Sequence, residues 1–257
     1  MGVVNVTPDS FSDGGLYLDP EAAVAHGREL ADAGAEILDV GGESTRPGAD
    51  PVSSEEELRR VVPVIRRLSG SRSRISVDTS KTSVAAAALD AGAEIVNDVT
   101  ALRGDPGIAE LCAERGAIVV LMHMLGEPRT MQRDPRYDDV VAEVKAFLVE
   151  RLQAAVAAGI AEDRVWLDPG IGFGKTGAHN MELLRRLGEL RELGRPLVVG
   201  TSRKSFIGKL DGSPADGRLG GTIASSVLAA AEGADVLRVH DVAEMRQALT
   251  VATAILG

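Results

Sequence analysis

Two hydroxyls and two cations follow a short apolar run at Leu197-Val198-Val199-Gly200-Thr201-Ser202-Arg203-Lys204. They suit phosphate oxygens, with arginine as a planar fork and lysine as a point charge. Arg238-Val239-His240 adds two polar side chains at i, i+2, the spacing that turns both to one face of a strand. Beside the Ser202 cluster they compose an anion site. Other apolar runs also end in polar residues, at Asn5, Asp39, Asp78, Asn97, His123 and Asp168. An aspartate placed directly after a run such as Ile75-Ser76-Val77 is costly to bury without a partner, so Asp78 and Asp168 need donors. With Asn97 and Lys204 they are equipped to read a flat heterocycle. Carboxylates accept from ring N–H and amino groups, the amide does both, and the lysine donates to a carbonyl or ring nitrogen. Asn5 offers an amide oxygen to Mg²⁺, which accepts few protein ligands when phosphate oxygens and water complete its shell.

Taken singly, these features have plainer explanations. A strand-to-helix loop with solvated cations accounts for Ser202-Arg203-Lys204, and a core histidine accounts for His240. Gly174-Lys175-Thr176 looks like the end of a P-loop, but its leading glycine would fall on Pro169, so the motif fails. His123 and His179 lack metal-ligand spacing, so structural roles are expected for both and no zinc site is expected.

Positioning these residues requires a regular scaffold, and the sequence supplies one. Apolar runs over residues 3–6, 36–40, 75–78, 94–97, 117–122, 165–168, 197–199 and 235–239 read as strands. Between them lie helical stretches over 20–33, 54–68, up to 90, 108–114, 138–158, 181–193, 222–231 and 242–255. Ser54 and Glu57 have the spacing of a capping box. Glycines in Ala33-Gly34-Ala35, Ala91-Gly92-Ala93 and Glu232-Gly233-Ala234 fall where a helix wants its terminating residue. Eight strand-helix units in 257 residues predict one (β/α)₈ TIM barrel over residues 1–257, with the ligand site at the C-terminal ends of the strands. The strand-end polar residues then converge on one face. Two polar, glycine-bearing loops, 5–15 and 41–49, read as lids over that face.

A net charge of −10 argues against broad contact with nucleic acid, and a few cations at one place suit a small anionic ligand instead. No stretch is long and apolar enough to span a bilayer and none resembles a signal segment, so the expectation is a cytoplasmic protein without membrane contact. The single cysteine, Cys112, excludes a disulfide framework and lies in a helical stretch, where it is expected to be buried and inert.

The motifs together resemble one family. Residues 5–15, Asp39-Val40-Gly41-Gly42-Glu43-Ser44-Thr45-Arg46-Pro47-Gly48, Ser76-Val77-Asp78-Thr79, Val96-Asn97-Asp98 and Met122-His123-Met124 are similar to dihydropteroate synthases. So are Asp168-Pro169-Gly170-Ile171-Gly172-Phe173-Gly174-Lys175, Gly200-Thr201-Ser202-Arg203-Lys204-Ser205-Phe206 and Arg238-Val239-His240-Asp241-Val242. The likeness runs in order along the whole chain. It implies a transferase of folate biosynthesis that condenses a (7,8-dihydropterin-6-yl)methyl diphosphate with 4-aminobenzoate, giving 7,8-dihydropteroate and pyrophosphate. By the same resemblance Asp78, Asn97, Asp168, Phe173, Gly200, Lys204 and Arg238 form the pterin pocket, with Arg238 stacking on the ring. The diphosphate meets Asn5, Thr45, Arg46, Ser202, Arg238 and His240, and Mg²⁺ is the cofactor, held by Asn5. The aminobenzoate lies between Phe11, Thr45, Pro47, Phe173 and Ser202. Asp13, Asp168, Lys204 and Arg238 carry the catalysis, and a homodimer through the outer helices of the last units is expected.

Members of the family usually carry further residues before the Met-Gly that opens the first strand. The present sequence begins at Met1, so a shortened first strand is expected, affecting stability more than chemistry. Two rivals stand beside this reading. A methyltetrahydrofolate methyltransferase acting with a corrinoid protein has a similar pterin pocket but needs no diphosphate site. A catalytically silent paralogue would bind pterin without turnover, and would be expected to lose lid or anion-site residues that are present here: Asp9, Phe11, Asp13, Thr45 and Arg46.

Overall fold

Each of the eight apolar runs forms a strand in the computed structural model, which describes residues 1–7, 20–45 and 49–256. The strands are β1 (Gly2–Asn5), β2 (Ile37–Gly41), β3 (Arg74–Asp78), β4 (Ile95–Asp98), β5 (Ile118–Met122), β6 (Val165–Asp168), β7 (Val198–Val199) and β8 (Val236–Leu237). The helices are α1 (Pro20–Asp32), α2 (Ser54–Leu68), α3 (Thr82–Asp90), α4 (Gly107–Arg115), α5 (Val140–Ala157), α6 (Gly177–Arg185), α7 (Gly188–Arg191), α8 (Ser205–Asp211), α9 (Leu219–Ala231) and α10 (Val242–Leu256). All strand pairs are parallel. β1 to β6 pair in chain order and β7 pairs with β8. Single bridges at Leu167↔Leu197 and Gly2↔Val239 join the two sets and close the ring.

Strand alternation separates two apolar populations. Leu38, Val40, Val77, Val96, Val119 and Leu167 are buried with the helices in the main core. Their neighbours Ile37, Ile95, Ile118, Val120 and Val198 form a second cluster with Met1, Trp166 and Val236, filling the barrel interior. Higher along the interior, toward the carboxyl ends of the strands, apolar side chains give way to Asp39, Asp78, Asn97 and Asp168, all buried.

The structure moves several expected boundaries. The N-cap of α2 is Ser53, whose Oγ accepts from Glu56 N at 3.2 Å, so the cap expected at Ser54 is corrected by one residue, and the Glu56 carboxylate pairs with Arg59 and Arg60 instead of completing a box. Glu57 turns inward instead, fully buried, to face Lys81. The stretch expected as one helix over 181–193 starts at Gly177, where Thr176 and His179 form a capping box, and breaks at Arg186-Leu187 ahead of the poor helix former Gly188. The seven-residue α8 is too short to show a period in sequence. β7 and β8 start one residue later than their apolar runs where the Asp235 carboxylate takes Leu197 N at 2.8 Å, replacing a ladder bond, and β8 also ends before Arg238-Val239. Gly34, Gly92 and Gly233 adopt positive φ after their helices, as expected of helix-terminating glycines.

Candidate functional site

A cavity of about 440 Å³ opens at the carboxyl ends of the strands. Asn5, Thr45, Asp78, Asn97, Asp168, Phe173, Gly200, Ser202, Lys204, Arg238 and His240 all line it, so the predicted site residues within the described chain meet in one place. Phe11, Asp13, Arg46 and Pro47 lie outside the described residues.

The floor is polar. Asp78 ends β3, Asn97 lies in β4 beside it in register, and Asp168 ends β6. Arg238 follows β8 and crosses the barrel, giving Nε to Asp39 Oδ2 at 2.6 Å and Nη2 to Asp78 Oδ2 at 2.9 Å. Asn97 Nδ2 donates to the same Asp39 oxygen at 3.1 Å. Burial pushes the Asp78 carboxyl up to about 7; Arg238 opposes the rise, while Asp39, Glu57 and Asp98 add to it. Burial likewise raises Asp168, against the Gly170 N–H and the nearby Lys204, Arg238 and Lys175. One wall is apolar, made by Val99, Met122, Met131, Ile171 and Phe173. Lys204 Nζ stands 4.2 Å from the centre of the Phe173 ring, a cation–π distance. Acceptors below, a cation opposite and an apolar slot between them suit a flat, nitrogen-rich ring.

Two local devices aim these groups. The turn after β7 holds Arg203 at φ 56°, a left-handed conformation that costs a non-glycine residue roughly 1–3 kcal/mol. Three ties offset it: Arg203 N donates to Thr222 Oγ1 at 2.9 Å, Arg218 Nη1 donates to Arg203 O at 3.0 Å, and the Arg203 guanidinium pairs with Asp241 at 2.6 Å. Arg203, predicted within the anion cluster, is thus committed to a carboxylate while still lining the cavity. Ser202 and Lys204 on either side also line it, and Ser202 Oγ lies 2.9 Å from His240 Nδ1.

The second device is the loop after β6. Asp168 Oδ1 accepts Gly170 N at 2.7 Å, and Asn180 Oδ1 accepts Gly172 N at 2.7 Å. Lys175, only 2% exposed, reaches His123 Nδ1 at 2.8 Å and donates to Gly170 O and Phe173 O at 3.0 Å each. Three acceptors match the three N–H bonds of an ammonium. Burial pushes Lys175 down to about 7, with Asp168 opposing, and pushes the neighbouring His123 down to about 3. The histidine is therefore a neutral acceptor, the structural role its sequence context predicts.

Sequence reasoning missed three contributors. Asp39 is named there only as a polar strand end, whereas it anchors both Asn97 and Arg238. Lys175 reads as a false nucleotide motif, and nothing local marks it as buried. Lys81 bridges Glu43 and the buried Glu57, and Glu43 Oε2 also accepts Val52 N at 3.3 Å, which ties both ends of the loop bearing Thr45. A lysine just past a strand end is too common to single out in sequence.

Among the described residues no cluster of three or more histidine, cysteine or acidic side chains could hold a metal ion. Asn5, partly buried at the end of β1, contributes one amide to the cavity. That donor set fits a hard cation completed by substrate phosphates and water, and does not fit zinc. No helix among the described residues is long and apolar enough to cross a membrane. Cys112 is buried and unpaired.

Residues 1–240 match the family described as pterin binding enzyme. Dihydropteroate synthase of Escherichia coli strain K12 is 50% identical over 258 residues, covering 100% of this chain and 91% of that protein. The crystal structure of Yersinia pestis dihydropteroate synthase with a sulfonamide drug complex superposes with a TM-score of 0.97 at 47% identity, covering 100% of this chain and 93% of that one. Xanthomonas albilineans dihydropteroate synthase with 4-aminobenzoic acid gives a TM-score of 0.93 at 54% identity, covering 100% and 92%.

Proposed function

The chain belongs to the pterin binding enzyme family and, within it, to the dihydropteroate synthases, and from that premise we propose how its residues divide the reaction. It is a transferase reaction of folate biosynthesis: a (7,8-dihydropterin-6-yl)methyl diphosphate and 4-aminobenzoate give 7,8-dihydropteroate and pyrophosphate. Asp78, Asn97 and Asp168 accept from the N–H groups of the pterin, Lys204 donates to its carbonyl or ring nitrogen, and Phe173, Gly200 and Arg238 border the ring. Asn5, Thr45, Ser202, Arg238 and His240 receive the diphosphate. Thr45, Phe173 and Ser202 flank the aminobenzoate. Asp13, Arg46, Phe11 and Pro47 complete these sets in the proposal, though they lie outside the described residues.

The chemistry follows from charge. Breaking the pterin methylene C–O bond sends its electron pair to the pyrophosphate and leaves a cationic methylene. Asp168 and Asp13 stabilise that cation, while Ser202, His240 and Arg238 receive the developing anion. Arg238 Nη1 has no hydrogen-bond partner among the described residues and is available for this purpose. The aniline nitrogen is neutral at pH 7, forms the new C–N bond with its own lone pair and then loses a proton to solvent. No strong base is required, so positioning supplies much of the rate. Mg²⁺, held by Asn5, would add charge stabilisation on the leaving phosphates. The acceptor floor across β3, β4 and β6 facing Lys204 carries the reading. A methyltetrahydrofolate methyltransferase is set aside, because the family assignment and the diphosphate set both favour the synthase.

We also propose a homodimer through the adjacent helices α9 and α10, where Leu228, Val251, Ile255 and Leu256 are exposed.

Pyrophosphate release tests the main reading. It should require both the dihydropterin diphosphate and 4-aminobenzoate, fall on chelation of Mg²⁺, and accompany the appearance of dihydropteroate. Binding of the pterin diphosphate with no release under any of these conditions would support the silent paralogue.

A further inference from the structure

We propose that Asp39 is a positioning residue that sets which way the Asn97 amide faces, and so makes the cavity floor select a ring edge bearing N–H donors. The inference rests on the pterin reading above. Asp39 does not line the cavity; it is fully buried. Its register partners are Val3 and Ser76, one layer deeper than the row Gly41, Asp78 and Asn97. Gly41, directly above Asp39 on its own strand face, has no side chain. Both Asn97 and Arg238 therefore reach down to the carboxylate from across the ring.

The chemistry of that contact is one-sided. Asp39 Oδ2 takes Arg238 Nε at 2.6 Å and Asn97 Nδ2 at 3.1 Å. A carboxylate gripped by a guanidinium only accepts, so the amide atom facing it has to be the NH₂. The oxygen and nitrogen ends of an asparagine are otherwise nearly the same shape, and only the bonding network decides between them. With the NH₂ turned to Asp39, Asn97 Oδ1 is the acceptor end left for the ligand. The floor then presents acceptors from three strands: Asp78, Asn97 and Asp168. Were the amide reversed, the middle of this row would donate, and a ring carrying a carbonyl at that edge would fit instead. Asp39 Oδ1 is buried with no hydrogen-bond partner among the described residues. A buried polar atom left in that state is costly, so the carboxylate stands here at an energetic loss that a purely packing role would avoid.

The test compares 6-hydroxymethylpterin, which carries the ring amino group, with 6-hydroxymethyllumazine, which has a carbonyl in its place. Titration calorimetry on the intact wild-type protein should favour the pterin by roughly 10²-fold, the penalty for leaving one buried polar contact mispaired. In Asp39→Leu the Asn97 amide is free to turn and relieve that mismatch, and the preference should fall below roughly tenfold. Asp39→Asn should retain it, since an amide beside a guanidinium turns its oxygen to it and still accepts from Asn97. Equal weakening of both probes in Asp39→Leu, with the preference intact, would overturn the proposal. A second measurement needs no variant at Asp39 to fold. The Asn97 side-chain ¹⁵NH₂ signals, identified by their loss in Asn97→Ala, should be protected from water exchange in the unliganded wild type. Exchange as fast as that of a free amide would also overturn it. If wild type binds neither probe, the pterin reading fails while the exchange experiment still judges Asp39.

Discussion

At the scale of single residues, burial rather than residue type decides what the site can do. Asp78 is raised to about 7 chiefly because it is buried. A raised carboxyl pKa means that the proton goes on as pH falls through about 7, leaving a ligand N–H one acceptor fewer. Pterin affinity should therefore be full on the alkaline side and weaken by up to roughly tenfold per pH unit below the pKa. Calorimetry with 6-hydroxymethylpterin from pH 5.5 to 8.5 would show this limb, and Asp78→Asn should flatten it. The same shift acts oppositely on the fold. The unfolded carboxyl ionises near roughly 4, so this group favours folding more as pH drops from about 7 toward that value. Lys204→Ala removes a charged donor and should weaken pterin binding by roughly 10- to 100-fold, with the KM for aminobenzoate little changed; an equal defect in both would contradict the division of the site. The carboxylates and cations of the floor were legible because they interrupt apolar runs. Their partners were not, since Asp39 and Arg238 lie 199 residues apart and meet only when the ring closes.

At the scale of elements, the loops are fixed by contacts that periodicity does not carry. The strand-helix alternation was readable throughout, and β6 and α2 fall on their expected residues, because long apolar periods override local detail. Ser53 replaced Ser54 as a cap because two adjacent serines offer the same signal and the burial of Glu57 breaks the tie. The loop after β6 shows how tightly backbone can be set. Gly170 has φ 67°, and a Cβ there would come within 1.9 Å of His123 O. Gly194 has the same φ but nothing within 4 Å. Gly194→Ala should cost roughly 1 kcal/mol, from conformation alone. Gly170→Ala should cost well beyond the roughly 1–3 kcal/mol of a strained backbone and also weaken pterin binding, because it displaces the loop that holds Asp168 and Phe173. Urea denaturation beside pterin titration would separate the two, and similar losses in both variants would refute the argument.

At the scale of the molecule, the barrel and the convergence of its polar strand ends were legible, because eight repeated units leave few other arrangements. The weakness of its seams was not, since nothing in the run over 235–239 marks Val236 and Leu237 as its only regularly paired residues. The proposed dimer makes a prediction at this scale. Leu228→Glu together with Val251→Glu should shift the protein to monomer in light scattering while leaving the far-ultraviolet dichroism unchanged; a wild-type monomer would dismiss the dimer. The closure of the ring by one bridge on each side of β7 and β8 has a different kind of consequence. That seam marks a place at which the chain could be divided in two. Two polypeptides, 1–193 and 194–257, divide the site so that Asp78, Asn97 and Asp168 travel with one and Ser202, Lys204, Arg238 and His240 with the other. Neither piece alone holds both the acceptor floor and the Ser202, Lys204, Arg238 and His240 set that faces it. Expressed from separate genes, they would test that division, with folate-dependent growth as the readout of reassembly.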